Sequence, residues 1–175
     1  PETVHAAYFD EHAPSLSDVE VIFATWGMMR FEDRHFEAMP KLKAVFYAAG
    51  NVKAFAQPLV DRGITLVSAW QANAVPVAEM CLSQILLSLR GYFRSVRQYR
   101  ESRHLSAKSF PRSGVNGETV GMLGMGKIGT RLCYLLRDYP LKVIAHDPFL
   151  TEERARSLNI EPVTIAAVFE RSAVV

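Results

Sequence analysis

One stretch of the chain, residues 119–147, places a strand pattern, a cluster of glycines and a helix pattern in a fixed order. Residues 119–123 have strand character, and the sequence GMGKIG follows at 124–129. An apolar repeat at steps of three or four predicts a helix over residues 127–138. A strand that passes through a glycine turn directly into a helix is the local pattern that most constrains how this chain can fold.

The same stretch ends in an acidic residue. Pro140 stops the predicted helix, and a second strand is predicted over residues 141–145. Asp147 follows that strand, 18 positions after Gly129. This order and spacing are typical of a dinucleotide-binding unit, in which the acid accepts hydrogen bonds from the adenosine ribose. Residues 146–149 contain no arginine to receive a 2′-phosphate, which favours NAD over NADP.

Each glycine of this loop has a separate predicted task. Gly124 allows a sharp turn, Gly126 has no Cβ to keep a pyrophosphate from the backbone, and Gly129 lets helix and strand pack closely. The amides of Lys127 and Ile128 would face the anion, because the first N–H groups of a helix lack intrahelical partners. Two alternatives stay open: a glycine-rich turn without a ligand, and Asp147 as an ordinary Asp-Pro turn.

Composition narrows the class of protein. The chain has 175 residues, 49% of them hydrophobic, and a formal charge of +2, which indicates a folded domain or two and no electrostatic case for nucleic acid. Cys81 and Cys133 fall among apolar residues of predicted helices, without metal-ligand spacing. No leader pattern begins the chain, and no uncharged apolar run approaches the roughly 18 residues of a membrane helix. We therefore expect a cytoplasmic protein without a metal.

Residues 1–72 alternate short strand and helix patterns, which predicts a parallel sheet covered on both faces. The predicted strands are 5–9, 19–24, 44–49 and 64–68, and the predicted helices are 32–38 and 54–62.

The sequence Ala48-Ala49-Gly50-Asn51 lies at the predicted carboxyl end of one of these strands. Parallel sheets place ligands at such ends, and free amides there suit a carboxylate or phosphate. An ordinary strand-to-helix turn is the open alternative.

A long helix is predicted over residues 76–101, with Pro76 in its first turn, where the missing N–H costs nothing. Its apolar stripe is broader than one sheet face needs, which favours a subunit interface. Five arginines and several aromatic residues follow its polar side. This pattern fits nucleic-acid binding, but a solvated helix face explains it better. The arginines are Arg90, Arg94, Arg97, Arg100 and Arg103.

Beyond Asp147, Thr151 and Thr164 are predicted helix N-caps, and strands are predicted over 160–163 and from 173 onward. Only one mononucleotide half of a doubly wound domain is therefore expected in this chain.

Three segments together resemble the D-isomer-specific 2-hydroxyacid dehydrogenases: AMPKLKAVFYAAG, DRGITLVSAWQANAVPVAEMCLSQILLSLR, and TVGMLGMGKIG with HDP. The resemblance runs through nearly the whole chain. It implies an α/β architecture in which residues 1–72 are the N-terminal part of a flavodoxin-like substrate domain. Residues 73–175 would be the first part of a Rossmann-type NAD-binding domain, and the 76–101 helix would contribute to a homodimer.

The resemblance also implies site residues and chemistry. The family's cofactor contacts correspond to Gly124, Gly126, Lys127, Ile128, Gly129 and Asp147, and its substrate-carboxylate contacts correspond to Ala49, Gly50 and Asn51. The reaction would be hydride transfer between NAD and a small D-2-hydroxy or 2-keto acid. The family's catalytic arginine, glutamate and histidine are expected beyond Val175, and none of the five histidines here has a matching context. The family often has Gly-Val-Asp where this chain has Gly50-Asn51-Val52, so Lys53 or Trp70 could change substrate choice.

Two other functions compete with the dehydrogenase. One is an NAD-sensing regulator resembling the corepressor relatives of this family, and the other is a dimerisation piece that acts through the 76–101 helix.

Overall fold

The computed structural model describes residues 3–104 and 114–175. The chain forms two compact units, Pro1–Asn73 (unit 1) and Ala74–Val175 (unit 2). Over the described residues, each unit contains one three-stranded sheet whose strands pair in parallel, which confirms the predicted α/β class.

The sheet of unit 1 consists of three strands in chain order. Val21 pairs with Ala44, and Ala44 pairs with Thr65, so the strands start in register. Short helices connect them because parallel strands require a crossover. The strands are β1 (Val21–Ala24), β2 (Ala44–Tyr47) and β3 (Thr65–Ser68), and the helices are α1 (Phe9–His12), α2 (Asp33–Ala38) and α3 (Ala56–Asp61).

The predicted strand at residues 5–9 is wrong. A 3-10 turn, Ala6–Tyr8, runs into α1 instead. The His5 Nδ1 accepts the Ala7 N–H at 3.2 Å, a local bond that competes with extended structure. Phe9 is buried in the core of unit 1.

Unit 2 contains β4 (Thr119–Leu123), β5 (Lys142–His146) and β6 (Glu161–Pro162), paired in chain order. Val174 bridges Val120 in parallel on the other side of β4. The strand order therefore reverses at β4, as it does at the switch point of a doubly wound sheet, where ligands bind. The helices of this part of unit 2 are α6 (Lys127–Leu136), α7 (Glu152–Leu158) and α8 (Ile165–Arg171).

Two helices replace the single one predicted over residues 76–101. The first, α4 (Trp70–Leu89), begins six residues before Pro76. Because proline has no backbone N–H, one intrahelical hydrogen bond is missing at this position. Gly91 then adopts φ +69 and ends the helical path, and α5 (Tyr92–Ser102) follows. The apolar periodicity continues through this break, which is why the sequence pattern hid it.

By length and composition alone α4 would suffice to cross a membrane, a test that the core helices of soluble proteins also pass. Glu79 interrupts its apolar sequence. Ala78, Ile85 and Leu89 are buried in the core of unit 2, together with Val120 of β4.

Candidate functional site

The loop between β4 and α6 is held at its first residue by the neighbouring strand. Gly124 has φ +92, and its N–H donates to the His146 carbonyl at 2.9 Å. The loop therefore continues the β4–β5 pairing for one residue before the chain turns into the helix. Asp147 follows His146 directly, so the same pairing brings the acid beside the glycine loop.

Both carboxylate oxygens of Asp147 accept backbone N–H groups. Oδ2 accepts from Met125 at 2.5 Å, and Oδ1 accepts from Phe149 at 2.7 Å. These two bonds, the Met125 bond first, hold the pKa of Asp147 below its usual value, and the Arg154 charge lowers this pKa further. The group is an anion with free lone pairs, as an acceptor of ribose hydroxyls must be.

The bond from Met125 to Asp147 explains why residue 129 is glycine. In a trans peptide, the carbonyl of one residue and the N–H of the next point in opposite directions. The Met125 N–H points to Asp147, so the Gly124 carbonyl points to the helix, where a Cβ on Gly129 would lie 2.4 Å from its oxygen. The orientation of the Gly124–Met125 peptide therefore depends on the acid at position 147 and requires a glycine at position 129.

The start of α6 presents free donors. Gly126 is the N-cap residue and offers no side chain to the first turn. Within residues 3–104 and 114–175, no acceptor bonds the N–H groups of Gly126, Ile128 or Gly129, whereas the Thr130 N–H bonds the Gly126 carbonyl at 2.9 Å. These amides and the helix dipole make the loop suited to an anion.

Arg154 is a part of this site that the sequence reasoning missed. Its Nη2 lies 2.7 Å from the Met125 carbonyl oxygen and 2.7 Å from the Thr130 Oγ1, and that hydroxyl also reaches the Met125 carbonyl at 3.3 Å. Residues 146–149, which directly flank Asp147, contain no arginine. Instead, the first turn of α7 supplies Arg154, seven positions beyond Asp147, and its positive charge acts on the Asp147 carboxylate.

The loop of unit 1 at residues 48–51 follows β2. Ala49 is fully buried, and Ser68 Oγ lies 2.9 Å from the Ala49 carbonyl oxygen and 2.8 Å from the Gly50 carbonyl oxygen. Because both carbonyls point to Ser68, the N–H groups of Gly50 and Asn51 point away from it. In the described part of the chain neither N–H has an acceptor.

Asn73 and Trp70 lie beside Gly50 at ordinary van der Waals distances. A Cβ on Gly50 would lie 3.5 Å from Asn73 Nδ2 and 4.0 Å from Trp70 Cα. Asn51 uses its own Oδ1 to accept the Lys53 N–H at 3.0 Å. Ser68 was not predicted as a functional residue; the available signal was a hydroxyl at the carboxyl end of the strand beside β2.

Over the described ranges, no group of three or more His, Cys, Asp or Glu side chains could hold a metal ion. Cys133 is buried 3.8 Å from the Met122 sulfur, and burial raises the pKa of its thiol to about 11. It is a core residue rather than a nucleophile.

This chain resembles known proteins of one family in sequence. The family model described as D-isomer specific 2-hydroxyacid dehydrogenase, NAD binding domain, matches residues 82–175. The D-3-phosphoglycerate dehydrogenase of Bacillus subtilis is 28% identical over 141 residues, which are 80% of this chain and 27% of that protein. The corresponding enzyme of Mycobacterium leprae is 30% identical over 137 residues, which are 77% of this chain and 26% of that protein. The chain thus spans about a quarter of the length of these relatives.

Solved structures share the fold. A D-mandelate dehydrogenase from Rhodotorula graminis superposes with a TM-score of 0.72 at 18% identity, covering 97% of this chain and 54% of that one. A D-lactate dehydrogenase from Aquifex aeolicus, complexed with NAD and lactic acid, gives a TM-score of 0.71 at 17% identity, covering 91% and 48%.

Proposed function

The chain belongs to the D-isomer specific 2-hydroxyacid dehydrogenase family, and we propose that it binds NAD as part of an oxidoreductase for a small D-2-hydroxy or 2-keto acid. The observation that carries this proposal is the loop of unit 2. Its free amides lie at the switch point of a parallel sheet, and an ionised Asp147 lies beside them. Pyrophosphate would bind the amides of Gly126, Ile128 and Gly129, and Asp147 would accept the adenosine ribose hydroxyls.

The substrate carboxylate is proposed to bind the loop of unit 1. Ser68 turns the carbonyls of Ala49 and Gly50 to one side, which leaves the Gly50 and Asn51 amides for an anion. When bound, NAD would accept or donate the hydride at its nicotinamide. We assign cofactor and substrate contacts to these 175 residues, and no catalytic residue.

The cofactor assignment is tested by Asp147→Ala. This variant loses a charged acceptor for the ribose, so NADH affinity should fall by about one to two orders of magnitude. Asp138→Ala is a matched control, because it removes the same charge from an exposed position just after α6. NADH titration by fluorescence measures both variants, and equal affinities would refute the role of Asp147.

Homodimerisation is the second part of the proposal, now through α4 and α5 instead of one helix over 76–101. Several large apolar side chains of these helices are exposed, as expected of an interface helix. They include Met80 at 59%, Tyr92 at 49%, Phe93 at 48% and Tyr99 at 47% exposure. Sedimentation that shows a monomer at high concentration would contradict this assignment.

A regulatory role is the alternative to catalysis, and the same exposed apolar residues support it. An NAD-sensing regulator would assemble in response to NADH without turning over any 2-keto acid. In both cases we propose a cytoplasmic protein whose partners include neither nucleic acid nor membrane.

A further inference from the structure

We propose that Arg154 is a positioning residue for the cofactor, which holds the Met125–Gly126 peptide so that the Gly126 N–H faces the pyrophosphate. This inference rests on the proposed NAD binding and adds to it a residue of α7, outside the strand-loop-helix motif.

The loop needs such a holder because, in the described part of the chain, the backbone of its own helix makes no hydrogen bond to the Met125 carbonyl. Met125 lies before the N-cap of α6, between two glycines, and glycines restrict the backbone least. The Met125 side chain is buried, at 1% exposure, but a buried side chain does not determine which way the following peptide faces. Two consecutive peptides of the loop are fixed instead by side chains from other elements.

The first of these peptides is fixed by Asp147, which accepts the Met125 N–H. The second is fixed by Arg154, whose guanidinium donates to the Met125 carbonyl at 2.7 Å. Because the peptide is planar and trans, a carbonyl drawn toward α7 turns the Gly126 N–H away from α7. That N–H has no acceptor within the ranges the structure describes, so it is free for a ligand.

Thr130 supports the same carbonyl more weakly. Its hydroxyl accepts from Arg154 Nη2 at 2.7 Å and donates to the Met125 carbonyl at 3.3 Å. Arg154 makes no ion pair within 4.0 Å among the described residues, so its donors serve this carbonyl and hydroxyl rather than a carboxylate. Charged donors form the stronger hydrogen bonds, so the arginine should contribute more than the threonine.

The test compares Arg154→Met with Arg154→Lys and with the control Arg156→Met. Arg156 lies on the same helix with an exposed side chain 3.9 Å from Glu152, so its loss changes charge without touching the loop. NADH, ADP and adenosine are titrated against each variant, since only the first two carry the pyrophosphate. Circular dichroism melts establish that each variant is folded.

Arg154→Met should lower the affinity for NADH and for ADP by about tenfold, as expected when one charge-assisted hydrogen bond is lost. The affinity for adenosine should stay nearly unchanged. Arg154→Lys should recover part of that loss, because an ammonium can donate to one carbonyl. Arg156→Met should bind like the wild type.

Two results would overturn the inference alone: wild-type affinity for ADP in Arg154→Met, or an equal loss for ADP and adenosine. If the wild-type chain bound no NADH, the proposed cofactor role and this inference would both fail.

Discussion

The two units build comparable loops by different means. In each, a loop at the carboxyl end of a parallel strand has one or two carbonyls bonded by side chains, which turns the N–H groups of the following residues to the other side. In unit 2, Thr130 and Arg154 donate to the Met125 carbonyl, and Asp147 accepts the Met125 N–H. In unit 1 a single hydroxyl, that of Ser68, bonds both carbonyls. The unit 2 loop should therefore be more rigid, and the unit 1 loop should depend on one residue.

The sheets differ as well. Val120, Gly121 and Met122 of β4 are all buried, so both faces of that strand are covered. A Cβ on Gly121 would lie 2.8 Å from Val168 of α8, which shows how closely that helix packs. In unit 1 one face is open: Phe23 is 81% exposed and stacks on Phe46, while Val45 on the other face is fully buried. The expectation that both faces are covered is wrong for this sheet as described.

Of the two loops, the unit 2 loop should show the larger effect when it is disrupted. Gly129→Ala places a Cβ 2.4 Å from the Gly124 carbonyl oxygen, a backbone atom of the peptide whose N–H bonds Asp147. Unit 2 should lose about 1–3 kcal/mol of stability, as overpacked sites do, and NADH binding should be lost with it. Urea unfolding followed by circular dichroism and NADH titration measure the two effects.

Gly126→Ala is the matched control for that change. Gly126 has φ −69, and its Cβ would meet no atom within 4 Å. Stability should stay within about 0.5 kcal/mol, while NADH binding weakens because the methyl group covers the amides. Equal destabilisation by both alanines would show that the Gly124 carbonyl does not constrain residue 129.

The next prediction concerns the stability of unit 1, whose loop depends on the hydroxyl of Ser68. Ser68→Ala leaves the Ala49 and Gly50 carbonyls without their donor, which should cost unit 1 about 0.5–1.5 kcal/mol. Ser68→Thr keeps a hydroxyl and should restore most of this stability. Both tryptophans, Trp26 and Trp70, belong to unit 1, so urea unfolding followed by their fluorescence reports this unit.

Ser83→Ala is the control, because the Ser83 hydroxyl bonds the exposed Glu79 carbonyl at 2.9 Å and its loss leaves no buried group unpaired. If Ser68→Ala unfolded like the wild type, another group would have to hold the unit 1 loop.

How much of this was predictable from sequence depends on whether a feature is local. The bounds of β4, the start of α6 and the Thr151 and Thr164 caps follow from short-range rules, and the structure has all of them. Arg154 and Ser68 act through contacts between separate elements, which no spacing along the chain encodes. The break at Gly91 was missed because one glycine inside an apolar repeat is usually tolerated.

The third prediction concerns how the stability of unit 1 depends on pH. His35 is 3% exposed, packs edge-on against Phe9, and accepts the Glu32 N–H through Nδ1 at 2.9 Å, which requires the neutral ring. Burial, and then the Arg34 charge, lower the pKa of His35 below its usual 6.5. The unfolded chain therefore binds this proton first. The stabilisation is present above about pH 6.5 and is lost as the pH falls through the folded pKa.

The tryptophan-detected urea midpoint of unit 1 should accordingly fall between pH 7 and pH 5. In His35→Gln, whose side chain does not titrate, that fall should be smaller. His104→Gln, at an exposed position in unit 2, should leave the pH dependence as it is in the wild type. A wild-type midpoint that does not change with pH would show that the pKa of His35 is the same in the folded and the unfolded chain.

The smallest expected effect concerns the open face of the unit 1 sheet. The Phe23 ring is 81% exposed and stacks on Phe46. Phe23→Ser removes this ring and its stacking, so it should change the stability of unit 1 by no more than about 1 kcal/mol. Phe55→Ser makes the same substitution at 3% exposure against Tyr47 and should cost about 3–5 kcal/mol or more, since it empties a core site and buries a hydroxyl. Tryptophan-detected urea unfolding of the two variants measures the difference directly. Similar losses at both positions would mean that the β1–β2 face is covered in solution, and the contrast between a doubly covered sheet in unit 2 and a singly covered one in unit 1 would no longer hold.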